Sequence, residues 1–85
     1  MAVAVKALAA LAQDSRLEIF RLLVGGGTDG MPAGQIASEL QISPATLSFH
    51  LKELNAANLI QQRREGRSII YTLNVETMRS LLGYL

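Results

Sequence analysis

Cysteine and tryptophan are both absent from this chain, and it holds a single histidine, two prolines, two tyrosines and two phenylalanines. Without cysteine, a small disulfide scaffold is excluded, and so is any thiolate metal site within these residues. The same absence fits a cytoplasmic protein. One histidine, with no thiol and no carboxylate pair on a shared face, leaves catalysis almost nothing to use, so no enzyme is expected. No apolar run reaches the roughly 18–20 residues that span a bilayer, and no membrane partner is expected. Met1 to Leu11 is apolar but Ala-rich, lacks a clear basic flank and continues into a helical pattern, so it does not read as a signal peptide. Gly25-Gly26-Gly27 is followed by no Gly-Lys-Ser/Thr, so it reads as a linker and not as a phosphate loop.

A large excess of one charge is also missing, since the net charge is only +1. Bulk electrostatics therefore announces no nucleic-acid partner, and distribution says more. Up to residue 42 the basic side chains are Lys6, Arg16 and Arg21, against four acidic ones; from residue 43 onward there are five basic and three acidic. Arg63, Arg64 and Arg67 stand within five positions of one another. At 85 residues the chain makes one domain, residues 1–85. A domain of that size buries only about 60–65% of the surface its unfolded chain exposes. Its hydrophobic content is 49%, much of it Ala, which adds little buried area. An apolar face closed by dimerisation is expected.

Along the chain, Val3 to Ala12 reads as a first helix with Val5, Leu8 and Leu11 on one side. Asp14 or Ser15 would cap a second, Ser15 and Glu18 having capping-box spacing. Leu17, Phe20, Leu23 and Val24 form its apolar set, with Ile19 and Leu22 beside it. The glycine run ends that helix, and Thr28-Asp29-Gly30 continues a flexible loop. Met31-Pro32-Ala33-Gly34 leads into a short third helix carried by Ile36, Ala37 and Leu40.

The stretch from Ser43 to Leu54 is the most informative. Ser43 suits an N-cap and Pro44 the first helical position, where its missing N–H costs nothing. Leu47, Leu51 and Leu54 share the face that enters a core. Ala45, Ser48, Phe49 and Lys52 share another, with two small residues, one ring and one cation. That composition suits insertion into a DNA major groove, where side chains near the helix N-terminus meet base edges. The third helix, the Gln41-Ile42 turn and this fourth helix, ending near Asn58, form a helix-turn-helix. Leu59–Arg64 and Ser68–Leu73 read as strands joined by a Glu65-Gly66 turn, with Ile69, Tyr71 and Leu73 on one face. Asn74 caps a last helix bearing Met78, Leu81, Leu82 and Leu85. The expected fold is mainly α with a small β-hairpin, a winged helix-turn-helix of about five helices plus a two-stranded wing.

Three passages resemble the ArsR/SmtB family of winged-helix transcriptional repressors. Ala7-Leu8-Ala9-Ala10-Leu11-Ala12-Gln13-Asp14-Ser15-Arg16-Leu17-Glu18-Ile19 is similar to the family's opening. Ser43-Pro44-Ala45-Thr46-Leu47-Ser48-Phe49-His50-Leu51-Lys52-Glu53-Leu54 is similar to its recognition helix, S-x-x-T-V-S-x-H-L-x-x-L. Arg63-Arg64-Glu65-Gly66-Arg67-Ser68-Ile69-Ile70-Tyr71-Thr72-Leu73 is similar to its wing. The resemblance implies a homodimer joined through the first and last helices, at Val5, Leu8, Leu11, Met78, Leu81, Leu82 and Leu85. It also implies a partly palindromic double-stranded DNA operator and repression relieved by an inducer. The resemblance carries the family's base-contacting positions onto Pro44, Ala45, Ser48 and Phe49; with Ser43, Thr46, His50 and Lys52 on the same helix and Arg63, Arg64 and Arg67 on the wing, these make up the expected DNA-binding set. The residues at the third-helix sensor positions are Pro32 and Gly34, and neither binds metal. On the last helix only Glu76 offers an oxygen, and no His stands there. No cofactor is therefore expected within this chain. Arsenite, antimonite or another metal would act only if ligands lie beyond Leu85.

Alternatives stay open at three places. His50 reads as a structural histidine beside the core stripe, with a phosphate contact as the rival. The Arg63, Arg64 and Arg67 cluster reads as DNA-gripping wing or as a solvated hairpin tip. The Phe49 face reads as a DNA surface, or as the contact of a protein-interaction module.

Overall fold

Helix α4, Pro44–Ala56, is the element around which the others pack, because one side of it carries Leu47, Leu51 and Leu54 into the core. The computed structural model describes residues 2–26 and 29–84. Ahead of α4 come α1 (Ala2–Ala10), α2 (Asp14–Gly26), β1 (Met31–Pro32) and α3 (Ala33–Leu40). After it come β2 (Ile60–Glu65), β3 (Ser68–Leu73) and α5 (Val75–Tyr84). The winged helix-turn-helix is present, with a third strand that the sequence pattern did not reveal. All three strands are antiparallel, in the order β1-β3-β2.

Each junction has a local cause. The Ser43 side chain accepts the Thr46 N–H at 3.2 Å, and Pro44 opens α4. Between α3 and α4, Gln41 takes a left-handed φ of 55°, and Ile42 N–H reaches the Ala37 carbonyl at 3.1 Å. This Schellman-type end makes the turn of the helix-turn-helix tight. Asn74 Oδ1 accepts from the N–H groups of Glu76 and Thr77 at 3.1 and 3.3 Å, so it caps α5 as expected.

Four local readings are corrected. Helix α2 starts at Asp14 because the Gln13 carbonyl accepts the Leu17 N–H at 3.0 Å. Neither Asp14 nor Ser15 is therefore its cap, and no Ser15–Glu18 box forms. The buried face of α2 centres on Ile19 and Leu23, while Leu17 and Val24 are exposed. Six apolar residues crowd this helix, so periodicity alone admits two stripes. The hairpin pairs Glu65 with Ser68, which makes Gly66-Arg67 the two-residue turn, one step later than the sequence suggested. Gly66, at φ 61°, occupies the first central position, where a type II′ turn wants glycine.

Gly30 is the fourth correction, for it is a packed position and not part of a loose loop. Its φ is 75°, and a Cβ there would lie 2.5 Å from Thr72 Cγ2 and 2.6 Å from the Tyr71 carbonyl oxygen. The backbone at Gly30 lies directly against β3, which lets Met31 pair with Tyr71. Pro32 is tolerated because β1 is an edge strand. One core joins the elements, with Ala7, Ile19, Leu23, Ile36, Leu54 and Leu59 fully enclosed. Burying each such Leu or Ile contributes about 1.5–3 kcal/mol. Helix α1 lies along α5, and Leu81 enters the same core from α5.

Candidate nucleic-acid interface

Seating Leu47, Leu51 and Leu54 inside turns the opposite side of α4 outward. Ala45, Ser48, Phe49 and Lys52 are all exposed there, as are Ser43, Pro44 and Thr46 at the helix start. Phe49 keeps 55% of its surface in solvent, which is costly for a ring unless something else covers it. Ser43 Oγ donates to Thr46 Oγ1 at 2.8 Å, so both hydroxyls serve the first turn. The face lacks any carboxylate, so nothing on it repels a polyanion.

Phe49 does not dangle. The Arg16 guanidinium, reaching from the start of α2, places Cζ 5.7 Å from the ring centroid. That is within cation–π range. The His50 ring meets Phe49 edge-on, with centroids 5.8 Å apart and planes at 60°. His50 itself is buried and accepts a hydrogen bond on Nδ1 from Arg16 Nε at 3.3 Å. Its position is thus the structural one, behind the outward face and not on it. Arg16 stands in the opening motif of the sequence, but nothing in that motif marked it as the support of an α4 side chain thirty-four positions away.

The wing places its three arginines in different settings. Arg63 Nη2 donates to the Asp29 carbonyl at 2.7 Å, and its Nε lies 3.4 Å from Glu65 Oε1. It ties the hairpin to the loop before β1. Arg64 and Arg67 are exposed on β2 and at the turn, and among the described residues neither makes an ion pair. Two cations therefore remain available near the hairpin tip.

The residues expected at a dimer seam divide as well. Val5, Leu8 and Leu82 are exposed, with Leu82 at 69%. Met78 is half-buried, Leu11 packs against the core, and Leu81 is buried within it. Leu85 lies outside the described residues. Val75, which sequence reasoning passed over, is exposed on the same side of α5 as Leu82, one i, i+7 step away. Among the described residues no cluster of three or more His, Cys, Asp or Glu side chains would hold a metal ion. None of the helices is long and apolar enough to cross a membrane.

Comparison with known proteins places this geometry. A helix-turn-helix domain family matches residues 11–63. The transcriptional repressor SdpR of Bacillus subtilis is 34% identical over 76 residues, covering 89% of this chain and 81% of that protein. HlyU of Vibrio cholerae, a transcriptional activator, is 31% identical over 82 residues, covering 96% of this chain and 73% of that one. Among solved structures, an ArsR-like transcriptional regulator from Rhodococcus sp. RHA1 superposes with a TM-score of 0.85 at 27% identity, covering 99% of this chain and 76% of its own. A homodimeric winged helix-turn-helix DNA-binding domain from Mycobacterium bovis superposes with a TM-score of 0.81 at 26% identity, covering 96% and 74%.

Proposed function

Because this chain belongs to the ArsR/SmtB family of winged helix-turn-helix transcriptional regulators, DNA-binding proteins and not enzymes, we propose that it represses transcription as a homodimer on a partly palindromic operator. The observation that carries this reading is the exposed face of α4, with Phe49 contacted by Arg16 and no carboxylate among Ala45, Ser48, Phe49 and Lys52, together with a wing that bears the exposed Arg64 and Arg67. The N-terminal half of α4 enters the major groove, and the wing grips the flanking backbone.

The recognition positions carry neither Gln nor Arg, so bidentate reading of adenine or guanine from them is impossible. Sequence is read instead by Ser48 hydrogen bonds, by contact of Ala45 and Phe49 with thymine methyls, and by DNA shape. Dimerisation covers the exposed apolar residues Val5 and Leu8 on α1 with Val75 and Leu82 on α5; that the Mycobacterium bovis domain is homodimeric supports a dimer. Two-fold symmetry then spaces the half-sites about 34–36 Å apart. An inducer releases DNA by changing how the two α4 helices are spaced. It is a non-thiol signal or a partner protein where residues 1–85 alone respond, and arsenite or antimonite only where cysteines lie beyond Leu85. The workplace of such a protein is the cytoplasm.

Fluorescence anisotropy on a duplex from upstream of the protein's own gene, with a shuffled duplex as control, tests this at about 0.15 M salt. A preference of about a thousandfold is expected. Equal, weak binding to both duplexes would sink the repressor reading and leave the Phe49 face as a protein-docking surface.

A further inference from the structure

Between α4 and the wing lies a cleft of about 230 Å³. Ser48, Lys52 and Asn55 stand at i, i+4 and i+7 on α4 and form one wall. Gln62 and Tyr71 form the other, and they are directly paired across β2 and β3, so their side chains leave the sheet on the same side. Buried Leu51 also lines it. The lining thus brings together one ammonium, two hydroxyls and two carboxamides, and no carboxylate. Among the described residues, none of these five polar side chains hydrogen-bonds to another group of the chain. Donors that converge without a carboxylate among them suit an oxyanion.

We propose that this cleft seats one phosphodiester of the operator strand, with Lys52 supplying the charge and Gln62 and Tyr71 the flanking donors. This rests on the DNA-binding reading above and adds Asn55, Gln62 and Tyr71 to its contact surface. When the start of α4 lies in the major groove and the wing tip reaches the flanking backbone, the strand running from one to the other passes over this cleft. A contact here holds the register of the protein on the duplex and carries no sequence information. Tyr71, on the central strand, is half-buried and lines this cleft.

The test uses the full chain and the operator duplex, with single phosphates replaced in turn by neutral methylphosphonates. At one phosphate per half-site, the replacement weakens wild-type binding about tenfold, as expected for loss of charge-assisted hydrogen bonds. In the combined Lys52→Gln, Gln62→Ala, Tyr71→Phe variant, the same replacement has no further effect. Singly, Gln62→Ala and Tyr71→Phe each weaken binding to operator and to shuffled duplex by the same factor, so the preference between them is unchanged. Lys52→Gln lowers the salt slope by about 0.9. Gln62 is exposed, so its variant tests the cleft even if Tyr71→Phe perturbs the fold. The proposal is overturned if wild-type protein prefers the operator while Gln62→Ala and Tyr71→Phe bind it as wild type does. Loss confined to one base pair overturns it too, by making the cleft a base contact. A wild-type chain with no preference for the operator instead defeats the DNA reading itself, before the cleft is in question.

Discussion

Arg16 Nε donates to His50 Nδ1 at 3.3 Å, and the same guanidinium stands 5.7 Å from the Phe49 ring. One side chain from α2 thus fixes two successive residues of α4, the first exposed and the second buried. The arrangement joins stability to recognition. The bond satisfies an imidazole nitrogen that would otherwise be enclosed without a partner, and the stacking limits the directions Phe49 can take.

Replacing Arg16 by Leu should therefore show in two separate measurements. Urea unfolding should report a loss of about 1–2 kcal/mol, the cost of leaving a buried acceptor unsatisfied. Operator affinity should fall as well. In a Phe49→Ala background the effect on DNA should largely disappear, while the stability loss stays. Fully additive DNA effects in this double-mutant cycle would show that Arg16 does not act through Phe49.

Gly30 should tolerate no side chain. Gly30→Ala adds a Cβ 2.6 Å from a backbone oxygen at a φ of 75°, so neither neighbour nor dihedral can yield cheaply. A destabilisation of about 2–3 kcal/mol is expected, with the β1–β3 pairing weakened first. Thermal melting checks the magnitude, and hydrogen exchange at Met31 and Tyr71 checks the location. A neutral result would mean that β1 is not pinned to β3.

Arginines four positions apart on the wing should separate cleanly. Arg67→Ala removes an exposed cation at the turn, so it should lower the salt slope of DNA binding by about 0.9 and leave stability nearly unchanged. Arg63→Ala removes the tie to the Asp29 carbonyl, so its main effect should be on stability, by about 1 kcal/mol. Equal salt slopes for Arg67→Ala and the wild type would remove Arg67 from the interface.

Leu82→Glu tests the proposed dimer. Leu82 is 69% exposed, so a charge there leaves the chain's own core intact. Light scattering should show a monomer with unchanged helical content, and half-site binding should replace binding to the full operator. A dimer that survives this substitution would place the seam elsewhere.

Much of this protein was written in local sequence. The Ser43-Pro44 start, the Asn74 cap, the Leu47, Leu51 and Leu54 stripe, and the two long strands all depend on neighbours within about a turn. Short-range physics is enough to read them. That locality also made the outward set of Ala45, Ser48, Phe49 and Lys52 legible, since the inward leucines force it. Other features needed the tertiary structure, because their partners are far apart along the chain. Strand β1 is two residues long and exists only because Gly30 lets the backbone close on β3, some forty positions later. The buried side of α2 was decided by what packs on it, since its crowded apolar residues allowed two stripes. Arg16 became a support for Phe49 and His50 only once α2 crossed α4, and Arg63 became a tether only once the wing met the loop at Asp29. Periodicity assigns a residue to a face of its own element; which neighbour that face meets is settled only when the elements pack.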